Sequence, residues 1–240
     1  MSKLPVKLNS TPYPFPLHGP LTTHNTALLV IDVQGDFCAE GGYMHQFGFD
    51  LSALQRPIPV IARVLAACRA VGMPVIHTRE TFKPDLSDVQ PHRLWRGIDG
   101  KGVAVGDEGP KGRYLIEGAE CWQIIPELAP QDGEPVFDKP SYGAFGFTGI
   151  EKYLQERGIT NLVLTGLTTD CCIHTNVREA LDRGFDCLTL ADGTGACFEA
   201  VHEAAIQLLI KKSGVFGAVA ESLALLEALQ RLPVAEAASS

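Results

Sequence analysis

The sequence predicts an α/β fold with three layers, α/β/α, built on a doubly wound, mainly parallel sheet of six strands. Short apolar runs alternate with longer segments of helical spacing along most of the chain, an order typical of a parallel sheet covered by helices on both faces. The runs are apolar at nearly every position rather than every second one, as strands buried on both faces are. We therefore expect one domain over residues 26–232.

Six apolar runs are the predicted strands. The first is continuously apolar from Ala27 and ends at an acid, Asp32, whereas the last is the weakest. The predicted strands cover residues 27–32, 74–78, 135–138, 161–165, 186–191 and 215–219. Sheets of this kind bind ligands beyond the carboxyl ends of their strands. The residues that follow these runs are therefore the first candidates for a functional site.

Five segments have helical spacing. Glycine stands at the end of three of them, where the left-handed conformation that closes a helix favours it. Thr148 and Glu151 match a capping box, which predicts that the second helix starts at Thr148. The predicted helices cover residues 57–71, 148–158, 173–183, 199–211 and 221–229.

Three segments lie outside this alternation. Residues 1–25 are rich in proline and predict an extended arm on the surface. Residues 85–127 show no sustained period and many Gly, Pro and charged residues, which is typical of a lid or a subunit contact. Residues 233–240 predict a flexible tail.

The composition excludes several classes of protein. With 45% hydrophobic and 20% charged residues among 240, the chain is too apolar to be disordered. A net charge of −8 argues against nucleic-acid or anionic-membrane partners. No apolar run approaches the roughly 18 residues of a membrane span, and residues 1–20 lack the pattern of a signal peptide. We therefore expect a cytoplasmic protein.

The chain contains seven cysteines, an odd number. Without a secretion signal, an odd count predicts free thiols rather than a disulfide framework. No zinc-ligand spacing occurs among them. Each thiol is therefore either a small packing residue, as we expect for Cys38 and Cys197, or a nucleophile.

Reactive side chains follow three of the predicted strands. Asp32 ends the first, Lys139 follows the third, and Cys171 and Cys172 follow the fourth and open a helix. A helix N-terminus lowers the pKa of a thiol, a carboxylate can take the thiol proton, and a lysine stabilises developing negative charge. Taken singly, each of these residues also has a structural interpretation: a loop cap, a surface charge or packing. The spacing alone does not choose between the two cysteines.

Four motifs resemble the isochorismatase-like cysteine hydrolase superfamily. They are LVIDVQGDF at 29–37, FDKP at 137–140, TGLTTDCC at 165–172 and DGTGA at 192–196. The resemblance implies that Asp32, Lys139 and Cys172 form a catalytic triad in which Cys172 is the nucleophile. It also implies a cis peptide at Leu167-Thr168 and an oxyanion hole made by the N–H groups of Thr168 and Cys172. A homotetramer or homodimer is implied as well, with the arm and residues 85–127 as candidate contacts.

The resemblance is greatest to the branch that cleaves ureides: biuret and triuret hydrolases and ureidoacrylate amidohydrolases of nitrogen metabolism. It rests on segments such as DFCAEGGY at 36–43, HTRE at 77–80 and GVFG at 214–217. The cysteine favours amide cleavage over vinyl-ether chemistry. The Asp-x-His segment of metal-dependent nicotinamidases is missing after the second strand, so we expect no metal and no cofactor. The expected activity is hydrolysis of a C–N bond in a small ureide, N-carbamoyl or ureido compound through an acyl-enzyme, with release of ammonia.

Five further residues are candidates for substrate binding: Phe37, Arg79, Glu80, Tyr142 and Lys212. Lys212 stands where biuret-type sequences have glutamine, so it would suit a substrate carboxylate, or it caps the preceding helix. Arg79 and Glu80 could instead form an exposed ion pair. Phe37 and Tyr142 could instead pack in the core. Two other functions remain open at this point: a metal-dependent nicotinamidase-like amidase, and a non-catalytic α/β binding module.

Overall fold

A computed structural model describes residues 5–98 and 102–232, apart from the side chains of residues 96–98 and 212. The predicted tail at 233–240 lies outside the described residues. The strands are β1 (Thr26–Ile31), β2 (Val75–Glu80), β3 (Glu108–Gly109), β4 (Gly112–Arg113), β5 (Val136–Lys139), β6 (Asn161–Leu167), β7 (Asp186–Gly195) and β8 (Ala218–Ala220). Six of them form one sheet in the order β5-β2-β1-β6-β7-β8, and every neighbouring pair is parallel.

The helices are α1 (Gly35–Cys38), α2 (Tyr43–Gln46), α3 (Ser52–Gln55), α4 (Ile58–Ala70), α5 (Pro91–Ile98), α6 (Ile150–Glu156), α7 (His174–Asp182), α8 (Glu199–Gly214) and α9 (Ser222–Leu229). Helices α4 and α9 pack on one face of the sheet, and α6, α7 and α8 pack on the other. None of the helices in the described part of the chain is long and apolar enough to cross a membrane.

The central strand β1 explains why the predicted runs are apolar throughout. Leu28 and Val30 belong to the core under α4 and α9, whereas Leu29 and Ile31 belong to the core on the opposite face. Since side chains alternate along a strand, a strand covered on both faces needs an apolar residue at every position. The predicted fold class is confirmed.

Helix α6 starts later than the capping-box motif predicts. Gly149, not Thr148, occupies the cap position, and the helix begins at Ile150. The Thr148 hydroxyl accepts a hydrogen bond from the Ile150 N–H (3.2 Å) and donates one to the Ala144 carbonyl (2.8 Å). Glu151 pairs with Arg183 (3.0 Å) instead of reaching back to the cap. The capping-box prediction is therefore wrong.

The segment 85–127 is more ordered than its sequence indicates. It contains helix α5 and the antiparallel pair β3 and β4. Asp36 anchors the segment, because its buried carboxylate accepts hydrogen bonds from the N–H groups of Leu115 (2.9 Å) and Tyr43 (3.2 Å). Burial raises the pKa of Asp36 to about 6 although these hydrogen bonds oppose the rise.

The N-terminal arm contributes to the core. Leu8, Phe15 and Leu21 are buried in the same hydrophobic cluster as α4 and α9. Thr11 forms an antiparallel bridge with Val219 of β8. At this point the arm therefore covers the β8 edge of the sheet.

Candidate active site

Four polar residues stand at the carboxyl ends of four adjacent strands. In sheet order they are Lys139 on β5, Glu80 on β2, Asp32 just after β1, and Cys172 beyond β6. Strands of a parallel sheet all end at the same edge, so this topology gathers residues that are far apart in sequence. The three residues predicted from strand ends are thus brought together, and Glu80 is added to them.

Asp32 and Lys139 form an ion pair with no exposure to solvent. The Lys139 Nζ lies 2.7 Å from Asp32 Oδ2, and the Thr78 hydroxyl donates to Asp32 Oδ1 at 2.6 Å. Lys139 also donates to the carbonyl of Ser141 (2.7 Å). Burial alone would lower the pKa of Lys139, but the negative charges of Asp32, Cys172 and Glu80 and the hydrogen bond with Asp32 together outweigh it and raise the pKa above its usual range. Lys139 therefore stays a cation.

Cys172 is buried in a π-helical turn, Thr169–Ile173, that leads into α7. Its Sγ–H donates to Glu80 Oε2 at 3.7 Å. A hydrogen bond with Cys171 and burial raise the pKa of Cys172 well above its ordinary value, and Lys139 opposes that rise. The lowered thiol pKa expected at a helix N-terminus is not found, because the hydrogen bond with Cys171 and burial act in the opposite sense. At neutral pH the residue is a thiol, so attack on a carbonyl requires a base.

Cys171 and Cys172 both line one cavity, but their neighbouring side chains differ. The Sγ of Cys172 and one oxygen each of Asp32 and Glu80 all lie within 4.8 Å of one another. Cys171 is half-buried, and its carbonyl accepts a hydrogen bond from Thr175 (2.8 Å). The carboxylates therefore gather at Cys172.

Glu80 is held in place by its backbone and by its side chain. Its carbonyl accepts a hydrogen bond from Gln34 Nε2 (3.0 Å), and its N–H donates to Gln34 Oε1 (2.7 Å). Its buried carboxylate pairs with Arg93 of α5, whose guanidinium lies 3.9 Å from the centre of the Tyr142 ring. Burial raises the pKa of Glu80, while Lys139 and Arg93 oppose the rise. Gln34 and Arg93 were not predicted, and no motif in the sequence marks Arg93.

The thiol opens into a cavity of about 640 Å³. Its floor contains Cys172, Cys171, Thr168, Glu80 and Arg93. The predicted residues Phe37 and Tyr142 also line it, together with Tyr43, Met44, Phe47, Phe49, Trp95, Asp170, Cys197, Phe198 and Val201. Cys197 therefore faces the cavity and is not only a packing residue, whereas Cys38 is buried in the core.

One predicted substrate-binding residue, Arg79, is not among the described residues that line this cavity. Arg79 forms a two-point ion pair with Asp138, with N–O distances of 2.7 and 3.0 Å, and its guanidinium lies 3.8 Å from the centre of the Trp122 ring. Since neighbours on a strand face opposite ways, Glu80 enters the site and Arg79 leaves it. The side chain of Lys212 lies outside the described residues.

The backbone next to Cys172 has the cis peptide bond that the family resemblance implies. The peptide bond between Leu167 and Thr168 is cis, and Thr168 lines the floor of the cavity.

One oxygen each of Asp32 and Glu80 and the Cys172 sulfur are close enough to be considered as metal ligands. Each carboxylate already has a cationic partner, Lys139 for Asp32 and Arg93 for Glu80. A metal ion would have to displace or approach these two cations, which costs Coulomb energy. The donor set therefore fits proton transfer better than metal binding.

The chain is similar to known proteins over most of its length. A family model described as the isochorismatase domain matches residues 26–221. The ureidoacrylate amidohydrolase RutB of Methylobacterium radiotolerans is 32% identical over 206 residues, which cover 84% of this chain and 78% of that protein. The RutB protein of Stutzerimonas stutzeri is 31% identical over 192 residues, covering 79% of this chain and 76% of that protein.

A solved structure shares the fold. The crystal structure of a cysteine hydrolase from Pseudomonas syringae pv. phaseolicola 1448A superposes with a TM-score of 0.73, covering 96% of this chain and 99% of that chain at 22% identity.

Proposed function

The chain belongs to the isochorismatase family, and from this premise we propose that it is a cysteine-dependent amidohydrolase that releases ammonia from a ureide or N-carbamoyl compound. Family membership and the amidohydrolase names of its relatives identify it as a hydrolase acting on C–N bonds. One observation supports the finer assignment: the buried Cys172 thiol lies at the floor of the cavity with Glu80, and the buried Asp32–Lys139 ion pair lies beside them.

In the proposed first step, Cys172 attacks the carbonyl carbon of the substrate while Asp32 takes the thiol proton. A C–S bond forms, and the carbonyl electrons move to oxygen. The N–H groups of Thr168 and Cys172 bind this oxyanion, and the Lys139 ammonium stabilises the negative charge nearby. A base is needed here because the pKa of the Cys172 thiol is raised.

In the second step the C–N bond breaks. The electron pair goes to nitrogen, which receives the proton from Asp32 and leaves as ammonia, while the acyl group stays on sulfur. Water then attacks the thioester as Asp32 accepts its proton. When the C–S bond breaks, the proton returns to Cys172. The product is a carbamate from a ureide, or a carboxylate from an amide.

Glu80 has a separate proposed role. Its carboxylate accepts a hydrogen bond from the Cys172 thiol at 3.7 Å. A ureide places several N–H donors around its carbonyl group, and the Glu80 carboxylate, fixed by Arg93 and Gln34, is an acceptor for them. Of the two carboxylates, only Asp32 is paired with Lys139. Asp32 is therefore assigned as the base, because Lys139 stabilises both the Asp32 carboxylate and the thiolate that forms when Cys172 loses its proton.

Three further aspects are proposals of the same kind. Biuret, triuret and ureidoacrylate are candidate substrates, and only the last is named in the relatives. All seven cysteines are free thiols, which supports a reducing compartment such as the cytoplasm. A homotetramer or homodimer follows from the family resemblance alone.

Substitution of the two adjacent cysteines tests the proposed function. We expect Cys172→Ala and Cys172→Ser to lose at least 1,000-fold in the rate of ammonia release, because the proposed acyl-enzyme forms on the Cys172 sulfur. Cys171→Ser is the matched control, and we expect it to stay within tenfold of the parent chain. Near-normal release by Cys172→Ala would refute the mechanism.

Chelation separates the metal-dependent alternative. If activity is lost after dialysis against a chelator and returns with a divalent metal, the nicotinamidase-like mechanism holds instead. Equal rates of alkylation by iodoacetamide at Cys171 and Cys172, with no ammonia from any ureide, would favour a non-catalytic binding module.

A further inference from the structure

We propose that the substrate of this site carries an apolar group about the size of a phenyl ring, attached on the side of the scissile carbonyl that faces away from Cys172. This inference rests on the proposed function and narrows its substrate class to ureides with such a group, which biuret, triuret and ureidoacrylate lack. The apolar walls of the cavity carry it.

The cavity is larger than a small ureide needs. Its volume of about 640 Å³ falls within the range of pockets that enclose drug-sized ligands, about 300–1,000 Å³. The groups that would bind a ureide, Cys172, Glu80 and Arg93, are all on the floor. A ligand that contacts only this floor would leave the walls in contact with water.

Those walls are a continuous aromatic surface. The Tyr43 and Phe47 rings meet edge to face with centroids 5.0 Å apart, Phe47 and Phe49 stack at 5.9 Å, and Phe49 meets Phe198 edge to face at 5.7 Å. The series runs from the buried Tyr43 to the mouth of the cavity, where Phe198 is 59% exposed. Trp95 of α5, which is 60% exposed, also lines the cavity.

Exposed aromatic rings around a concave site favour an apolar ligand. Binding is favourable when a ligand removes such rings from water, and aromatic rings prefer edge or offset contact with another ring. Isolated exposed apolar residues need no explanation, but a contiguous group that lines a cavity marks a binding surface.

The charges at the cavity favour a ureide with an apolar group over a ureide that carries a carboxylate. On the floor, Glu80 is paired with Arg93, and the buried Asp32 beside it is paired with Lys139. Asp170, which is exposed, is the remaining carboxylate along the described lining. It would repel a carboxylate on the substrate.

A pair of substrates that differ only in this group provides the test. Ammonia release is measured from benzylurea and from methylurea, which share the reacting ureide. We expect kcat/KM for benzylurea to exceed that for methylurea by at least tenfold. Phe49→Ala and Phe198→Ala should each reduce this ratio by about fivefold or more. Phe147→Ala is the control: Phe147 is 65% exposed and lies outside the cavity lining, so the ratio should not change.

The outcomes separate this inference from the proposed function. If methylurea or biuret releases ammonia as fast as benzylurea, or if neither wall variant changes the ratio, the apolar group is refuted and the amidohydrolase stands. If Phe198→Ala alters the oligomeric mass and slows both substrates equally, the aromatic rim is a subunit contact and the inference fails. If no ureide releases ammonia, the proposed function fails. Calorimetric binding to Cys172→Ala then tests the walls alone, and supports them only if benzylurea binds at least tenfold more tightly than methylurea.

Discussion

Lys139 and Asp32 form an ion pair that has been removed entirely from water. Removing a charge from water costs free energy, and the attraction between the two opposite charges offsets this cost for both of them. The pair therefore serves the fold as well as the chemistry, and its two contributions can be measured separately.

We expect Lys139→Met, which keeps the volume of the side chain, to lower the free energy of unfolding by about 3–5 kcal/mol, since the Asp32 carboxylate is then buried without a cation. The double variant Asp32→Asn, Lys139→Met removes both charges and should recover most of that loss while remaining inactive. Urea denaturation of the three proteins is the measurement. A loss below about 1 kcal/mol in the single variant would mean that water or another cation reaches Asp32.

At the scale of elements, β2 and α5 decide which side chains reach the site. The sequence predicts that the second strand ends at residue 78, whereas β2 extends to Glu80. Within that extension Thr78 and Glu80 face Asp32 and Cys172, and Arg79 between them faces Asp138. Helix α5 then supplies Arg93 to neutralise Glu80.

Removal of Arg93 should shift the pH dependence of catalysis. Burial raises the pKa of Glu80 and Arg93 opposes that rise, so Arg93→Met should raise the pKa further. If the ionised Glu80 binds substrate, kcat/KM falls as the pH drops through that pKa, and the acidic limb moves to higher pH in the variant. The comparison is a pH profile of kcat/KM for both proteins.

Arg79→Met is the matched control, since Arg79 lies on β2 next to Glu80 but pairs with Asp138 outside the cavity. We expect its acidic limb to stay in place. An unmoved limb in Arg93→Met would show that Glu80 has no role as an ionised group in binding.

At the scale of the whole molecule, the arm and the domain share one core. Phe15 is fully buried although it lies in a proline-rich segment that predicts a surface arm. We expect Phe15→Ala to lower the free energy of unfolding by about 3–5 kcal/mol, the usual cost of truncating a buried phenylalanine. Leu17→Ala, two residues on and 48% exposed, should change it by less than about 0.5 kcal/mol. Equal effects of the two changes would contradict the packing described for the arm.

The fold and the core of the site could be predicted from sequence because both depend on local patterns. Continuous apolar runs mark strands covered on both faces, and residues that end or follow those runs, Asp32, Lys139 and the pair Cys171 and Cys172, meet at one edge of the sheet. The choice of Cys172 over Cys171 rests on the family resemblance. The rise in the pKa of the Cys172 thiol could not be predicted, because it depends on the hydrogen bond with Cys171 and on the burial of Cys172 in the folded chain.

Long-range contacts account for the other differences. The pairing of Arg93 with Glu80 depends on how residues 85–127 pack on the sheet, and no local period encodes that packing. The same holds for the aromatic walls, whose members come from α2, the loop that follows it, α5 and the residue before α8.

The covalent intermediate is the most direct test of a cysteine-dependent amidohydrolase. The enzyme is mixed with a reactive ureide, quenched with acid within one turnover, and its peptides are weighed by mass spectrometry. We expect the mass of the acyl group on the peptide that contains Cys172, and we expect it to be absent from the Cys172→Ser protein treated in the same way. Ammonia release without any adduct at Cys172, or with the adduct on Cys171, would contradict the assignment.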